Sequence, residues 1–102
     1  RELGDRHAER IALGNLGAVY RDLGQHERAI DYFGQGLAIA RALGDRRGEG
    51  IALGNLGAVY DALGQRKKAL QLLQEAIMIV GDARGREVTA WSGGRANRLG
   101  IG

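Results

Sequence analysis

Apolar and small residues in the first part of the chain recur at intervals of three and four positions. The first such stripe consists of Leu13, Leu16, Gly17, Tyr20 and Leu23. This spacing brings side chains to one face of an α-helix, so the stripe predicts an amphipathic helix that packs on a partner helix. A second stripe, within about 26–43, consists of Ala29, Ile30, Phe33, Leu37 and Ala40. The pattern therefore predicts two successive helices, and no run alternates with the period of two that would indicate a strand.

This pair of helices occurs twice. The ten residues IALGNLGAVY span 11–20 and again 51–60, a period of 40 residues. The same period relates LGDR at 3–6 to LGDR at 43–46. The second copy of the second stripe consists of Ala69, Leu70, Leu73, Ala76, Ile77 and Val80. We therefore expect an all-α protein built from a repeated helical hairpin.

Aspartate and glycine mark the predicted helix ends. Asp5 and Asp45 precede the first helix of each predicted hairpin. A carboxylate at this position can act as an N-cap, accepting hydrogen bonds from free backbone N–H groups. Gly24, Gly44 and Gly64 follow the last apolar residue of a helix, where glycine readily adopts the left-handed conformation that ends it. These residues predict where each helix stops and the next one begins.

Further glycines fall inside the predicted helices, namely Gly14, Gly17, Gly34, Gly36, Gly48, Gly50, Gly54 and Gly57. Each costs about 0.5–1 kcal/mol relative to alanine. We expect Gly17 and Gly57 to compensate by letting the paired helix approach closely, with stability coming from packing between neighbouring helices. The glycines at 48, 50 and 54 also resemble a nucleotide-binding turn, but that turn follows a strand, and no strand is predicted here.

The repeated unit resembles the tetratricopeptide repeat. That family carries the signature W-x2-L-G-x2-Y followed by A-x3-F. The first copy has LGAVY at 16–20 and AIDYF at 29–33, and the second has LGAVY at 56–60 and ALQLL at 69–73. The resemblance covers about residues 1–81 and implies a right-handed α-α superhelix, a solenoid of antiparallel helical hairpins.

Three features depart from the family pattern. Leu13 and Leu53 replace the tryptophan, Arg41 and Gly81 stand where the closing proline belongs, and the period exceeds the usual 34 residues. In its length the unit is similar to the repeats of kinesin light chains, of Pins/LGN-type adaptors and of bacterial signalling proteins.

We expect two tetratricopeptide-like hairpins in residues 1–81, preceded by the tail of an earlier repeat. Residues 82–102 are expected to form a degenerate third repeat or a capping helix and tail. Trp91 stands there at the family's tryptophan position, but the rest of the motif is missing. A short helix is predicted near residues 84–97.

Composition and charge narrow the possible functions. The net charge of +3 comes from scattered arginines, which is typical of a solvated surface, so we expect no nucleic-acid partner. No apolar run of about 18 residues occurs, so we expect no membrane partner. Cysteine is absent, which excludes disulfides and thiolate metal sites and suits a cytoplasmic protein.

The sequence offers little material for catalysis. His7 and His26 are the only histidines, and they lie on different predicted helices. No hydroxyl side chain has a residue beside it in sequence that could act as its general base. The sequence also lacks the spacing of histidine and glutamate that is typical of a metal site. We therefore expect neither an enzyme nor a bound metal or cofactor.

The candidate binding surface is a second face of the first helix in each hairpin. Asparagine gains little from a place inside a helix, but its amide can donate and accept hydrogen bonds at once. The resemblance implies that this face lines the concave side of the superhelix and that the asparagines hold the backbone of an extended peptide. Small neighbours would let the peptide approach. The predicted peptide-binding residues are Ile11, Gly14, Asn15, Ala18, Asp22, Ile51, Gly54, Asn55 and Ala58.

Two further points concern this surface: the asparagines have an alternative role, and the charges of a carboxylate clamp are missing. Asn15 and Asn55 could instead cap or bridge loops of adjacent repeats. Relatives that clamp a terminal carboxylate carry lysines and arginines in this groove, whereas Gly14, Ala18 and Ile51 stand here in their place. The sequence therefore predicts a peptide site without a carboxylate clamp.

We predict a protein–protein interaction module whose partner is a protein or peptide. The alternative is a self-assembling or regulatory repeat arm of a larger bacterial signalling protein, such as an ATPase or a transcription regulator. RNA binding by helical repeats needs stacking aromatic or base-reading side chains on the inner face, which Ala18, Gly54 and Ala58 do not supply. Apolar faces left open at the repeat ends also predict a homo-oligomer, either a symmetric dimer or a longer stack.

Overall fold

A computed structural model of the chain describes residues 3–83, which form four α-helices. These are α1 (Leu3–Asp22), α2 (His26–Leu43), α3 (Arg46–Ala62) and α4 (Arg66–Ala83). The described residues contain no strand, and the all-α prediction is confirmed. The helix predicted near residues 84–97 lies outside the described residues, as does Trp91.

The four helices form a row in which each packs on the next. Helix α2 packs against both α1 and α3, and α4 packs against α3. Turns of three residues join α1 to α2 and α3 to α4, so the helices within each hairpin run antiparallel. The arrangement is the repeated helical hairpin that the 40-residue period predicts.

Glycine ends three of the helices in the predicted way. Gly24, Gly44 and Gly64 have φ angles of 77°, 69° and 82°, in the left-handed region that favours glycine. After α2, the N–H of Gly44 donates to the Arg41 carbonyl at 3.2 Å, and the next N–H donates to the Ala40 carbonyl at 2.8 Å. These bonds satisfy carbonyls that the end of a helix leaves free, and the prediction for the three glycines is confirmed.

The two aspartates predicted as N-caps behave differently. Asp45 caps α3, because its carboxylate accepts a hydrogen bond of 2.9 Å from the N–H of Gly48. Asp5 is already inside α1, which begins at Leu3, so its prediction as an N-cap is wrong. Gly44 adopts the left-handed conformation and stops α2 before Asp45, whereas Gly4 lies inside α1 and the same LGDR sequence is helical there.

The core lies between α2 and α3 and extends to α4. Its buried side chains are Ala29, Phe33, Leu37, Ala52, Leu53, Leu56, Val59, Ala76 and Ile79. The apolar stripe predicted for the second helix of the hairpin therefore faces the core in α2, as expected. Leu16 and Leu23, predicted on the packed stripe of α1, are exposed. Periodicity identified their face of the helix, but only a neighbouring helix could bury it.

Two of the interior glycines allow close packing of the paired helices. A Cβ atom at Gly17 would lie 2.6 Å from Cδ1 of Phe33, and one at Gly57 would lie 2.8 Å from Cγ of Leu73. Both distances are far shorter than a van der Waals contact, so the prediction of close approach is confirmed. By contrast, a Cβ at Gly14, Gly34 or Gly54 would meet no atom within 4 Å, so packing does not require glycine there.

We predict opposite effects of alanine at two of these glycines. Gly17→Ala should lower the free energy of unfolding by about 1–3 kcal/mol, because a Cβ there would overlap the Phe33 ring, which is only 1% exposed, and would force it to shift. Gly34→Ala, the matched control, should raise it by about 0.5–1 kcal/mol through helix propensity alone. Urea unfolding followed by circular dichroism measures both. Equal stabilisation by the two changes would show that the contact between Gly17 and Phe33 is not tight.

Candidate functional site

The predicted binding surface lies on α1 and α3, mostly on the sides of these helices that do not pack in the core, although Ala18 also packs against the core. We call this surface, made of the nine predicted peptide-binding residues, the groove. At its centre a crevice of ≈ 30 Å³ separates α1 from α3. The crevice is lined by Arg10, Gly14, Phe33, Gly36, Gly48, Ile51, Ala52 and Asn55. Three of the predicted residues, Gly14, Ile51 and Asn55, therefore meet there.

The other six predicted residues lie on α1 and α3 outside the lining of the crevice. Of these, Ile11, Asn15, Asp22 and Ala58 are exposed, while Ala18 and Gly54 are half-buried. The Asp22 carboxylate is already paired with the neighbouring Arg21, at 3.3 Å from its Nε. The structure thus brings the middle of the predicted set together and leaves Asp22 at the far end of α1.

The two isoleucines of the groove are exposed to almost the same degree. Ile11 is 52% exposed and Ile51 is 53% exposed, although they occupy different repeats. Their position gives the groove an apolar patch in each repeat. A partner that covers the groove would remove both side chains from water.

The two asparagines have amides without a partner among the described residues. Within residues 3–83, neither Asn15 nor Asn55 forms a hydrogen bond with its side chain. No bridge between adjacent repeats through these amides is present in that part of the chain. A Cβ at the adjacent Gly14 or Gly54 would have no neighbour within 4 Å, so the surface beside each amide is open. The role of the asparagines in binding stays a prediction.

One crevice residue, Arg10, was missed by sequence reasoning. Its Nε lies 3.1 Å from Oδ2 of Asp45, and the side chain is largely buried between α1 and the start of α3. The Nε atom is buried without an aligned hydrogen bond, so the contact is an ion pair rather than a well-directed hydrogen bond. The available signal was a break in the repeat, because position 10 corresponds to Gly50 in the second copy.

Space for the Arg10 guanidinium depends on Gly48. A Cβ at Gly48 would lie 3.2 Å from Cζ of Arg10 and would also collide with the Asp45 carboxylate. That carboxylate therefore serves two partners, the N–H of Gly48 and the guanidinium of Arg10. The positive charge nearest the crevice is thereby paired within the protein, which leaves the groove close to neutral.

A second cluster of charges joins three helices away from the groove. Arg41 of α2 contacts Glu49 of α3 and Glu75 of α4, each at 3.1 Å. Glu49 is buried, so pairing with Arg41 offsets the cost of removing its charge from water. This cluster connects the two hairpins and does not reach the crevice.

The tyrosines of the repeat signature lie at the turn end of each hairpin. Tyr20 stacks on Tyr32 with ring centroids 5.3 Å apart, and the Arg28 guanidinium lies 5.4 Å from the Tyr20 ring centroid. In the second hairpin the ammonium of Lys68 lies 5.6 Å from the ring centroid of Tyr60. These contacts join the end of one helix to the start of the next, so both tyrosines are structural.

Neither a metal centre nor a membrane-spanning helix is found in the described part of the chain. No group of three or more histidine, cysteine, aspartate or glutamate side chains in residues 3–83 could hold a metal ion. No helix there is both long and apolar enough to cross a bilayer.

Comparison with known families adds one match. The family model described as "Tetratricopeptide repeat" matches residues 7–79, which is more than half of the chain and includes both copies of the repeated segment. Comparison with curated proteins gives no match.

We predict that the two functions of Asp45 can be separated by substitution. Asp45→Asn keeps an N-cap oxygen but removes the ion pair with Arg10, and should lower the free energy of unfolding by about 1–3 kcal/mol because the guanidinium is largely buried. Asp45→Ala removes both and should cost about 1 kcal/mol more. Thermal unfolding of the two variants measures each part, because the difference between them is the contribution of the N-cap. Equal destabilisation by the two variants would contradict the cap.

Proposed function

Because the chain belongs to the tetratricopeptide repeat family, whose repeats generally mediate protein–protein interactions, we propose that its groove binds an extended segment of a partner protein. The family membership is shown by the match over residues 7–79. The closer resemblance to the repeats of kinesin light chains, Pins/LGN-type adaptors and bacterial signalling proteins is part of the proposal. A location in the cytoplasm stays a prediction.

The observation that carries the proposal is the pair of unpartnered amides beside open glycine positions. An extended peptide presents an N–H donor and a carbonyl acceptor at every residue, and both need partners when the peptide is bound. Asn15 and Asn55 can each supply a donor and an acceptor together. The repeat places one such amide in each hairpin, so a peptide crossing from α1 to α3 would meet both.

The apolar residues of the groove supply the second part of the binding energy. Covering Ile11 and Ile51 with side chains of a peptide would remove apolar surface from water, at about 25 cal/mol per Å². The small residues Ala18 and Ala58 leave the peptide backbone free to approach the helices. The groove therefore suits a peptide with apolar side chains and no need for a charged anchor.

We propose binding without catalysis at this surface. The crevice brings together aliphatic side chains, the buried ring of Phe33, an amide and an arginine that is paired with Asp45. None of these supplies an activated nucleophile with its base. We also expect no nucleic-acid ligand, because no aromatic ring lies among the predicted groove residues for a base to stack on.

A second proposed role is association between copies of the chain. Leu16 and Val19 of α1 are exposed, and so are Leu70 and Ile77 of α4. These residues leave apolar surface open at both ends of the row of helices, away from the groove, and such surface favours association. A self-assembling or regulatory arm of a larger signalling protein remains the alternative function.

We predict that the two asparagines contribute to peptide affinity. Peptides selected from a random phage-displayed library on the whole chain are the probe, with Kd measured by fluorescence polarisation. Asn15→Ala or Asn55→Ala should weaken binding about 2- to 12-fold, the equivalent of about 0.5–1.5 kcal/mol for one hydrogen bond. The melting temperature should not fall, since neither amide has a partner in the described residues.

Two controls make this experiment specific to the groove. Gln74→Ala removes an exposed amide from α4 and should leave the affinity unchanged. Ala58→Arg places a bulky side chain at an exposed groove position and should abolish binding. Selected peptides that tolerate Ala58→Arg and both asparagine variants would bind elsewhere and would overturn the proposed site.

A further inference from the structure

The two identical segments of the chain are buried to very different extents. Leu56 is 6% exposed and Val59 is fully buried, whereas their counterparts Leu16 and Val19 are 42% and 54% exposed. Helices α1 and α3 each pack on the second helix of their own hairpin, so that contact cannot explain the difference. The cause is α2, which also covers the other side of α3. We call the uncovered surface of α1 the head face, formed by Ala12, Leu16 and Val19.

The surface of α2 that packs in this buried cluster has a counterpart on α4, which no other helix covers among the described residues. Phe33 and Leu37 of α2 are buried together with Leu56 and Val59 of α3. One period later the corresponding residues of α4 are apolar as well, and they are exposed. We call this surface of α4 the tail face, formed by Leu70, Leu73, Ile77 and Val80. It occupies the positions of Ile30, Phe33, Leu37 and Ala40.

We propose that the tail face of one copy packs on the head face of a second copy, in the way that α2 packs on α3 within the chain. This inference rests on the proposed self-association and gives it a geometry. The partner is a second copy because the head face has the same residues as the surface of α3 that α2 covers. Ala12, Leu16 and Val19 correspond to Ala52, Leu56 and Val59. A contact of a tail face with another tail face has no such precedent in the structure.

The contact joins two different surfaces, so it does not close on itself. Each copy keeps a free head face or a free tail face after binding, and further copies can add to either end. The product is a stack that continues the row of helices, with the groove continued from copy to copy. The symmetric dimer allowed by the sequence is not the expected arrangement.

Charge makes the contact between copies weaker than the one within a copy. Inside the chain, Arg41 links α2 to the buried Glu49. The counterparts of these residues are Gly81 and Glu9, and Glu9 pairs with Arg6 at 3.2 Å. Within residues 3–83, no arginine stands at the position of α4 that corresponds to Arg41. One helix packing on another also buries less than the roughly 1,200 Å² of a stable interface, so we expect dissociation constants of micromolar or weaker.

Sedimentation velocity of the whole chain and three lysine variants tests this geometry. Val19→Lys disables the head face and Ile77→Lys disables the tail face, because each would bury an unpaired charge in the contact. Both residues are exposed within the chain, so folding should be unaffected. Met78→Lys is the matched control, since Met78 is 70% exposed and its counterpart Ala38 stays exposed where α2 packs on α3. It should associate like the unchanged chain.

The informative sample is the mixture of the two disabled variants. Alone, each should remain monomeric at concentrations where the unchanged chain forms larger species, a loss of affinity of at least about tenfold. Mixed, they should form a dimer and stop there, since only one working head face and one working tail face remain. Circular dichroism of each variant confirms that its helices are intact.

The other outcomes overturn the proposal in distinguishable ways. A Val19→Lys chain that still forms dimers would show a symmetric contact through α4, so the geometry would fail while self-association stands. An unchanged chain that stays monomeric at all concentrations would overturn both, and would show that residues 84–102 or no partner at all occupies the tail face. Association that neither variant alters would place the contact on another surface.

The missing arginine supplies an independent prediction. Gly81→Arg should place a guanidinium where Arg41 stands in the internal contact, within reach of Glu9 of the next copy. A Cβ at Gly81 has no neighbour within 4 Å, so the side chain can be accommodated. At low salt the dissociation constant should fall about 2- to 5-fold relative to Gly81→Gln, the uncharged control. The gain should vanish at high salt or with Glu9→Gln, and a gain that persists in both would contradict the ion pair.

Discussion

The Phe33 ring is the contact on which most of this small structure depends. One side of the ring lies against Gly17, and the absence of a Cβ there lets α1 and α2 pack as a hairpin. The ring also belongs to the buried cluster that joins α2 to Leu56 and Val59 of α3. It finally forms part of the crevice beside Asn55. A single buried side chain therefore connects the packing within a hairpin, the packing between hairpins and the candidate site.

The groove exists because the first helix of each repeat has three different surfaces. One packs on the second helix of its own hairpin, and another is covered by the preceding hairpin where there is one. The third surface carries Ile51 and Asn55 in α3 and their counterparts in α1. Since this surface is not needed for packing, its residues are free to be chosen for contact with a ligand. The tolerance of a repeat scaffold for different partners follows from this separation.

The parts of the fold that depend on local sequence could be predicted. Helix spacing and the three left-handed glycines are properties of a few neighbouring residues, and both agree with the structure.

The environments of Asp5 and Leu16 could not be predicted from local sequence. Whether Asp5 caps a helix depends on where the helix begins, and whether Leu16 is buried depends on which helix packs beside it. Identical letters at 16 and 56 have different environments for this reason. Arg10 was missed because its counterpart in the second repeat is Gly50, so the repeat itself indicates no shared role for this position. For the groove, the repeat indicated the face, but only the structure shows that Asn55 meets Gly14 at the crevice while Asn15 remains outside it.

The row of four helices, in which each packs mainly on those next to it in sequence, determines how the chain comes apart. Helix α4 is held on one side by α3, while α2 is held on both sides. Opening α4 therefore breaks one helix contact, and removing α2 breaks two. Local stability within residues 3–83 is therefore not shared equally among the helices. The packing of α2 on α3, which joins the two hairpins, is less extensive than the packing within either hairpin, so the hairpins can separate from each other while each keeps its own pair of helices.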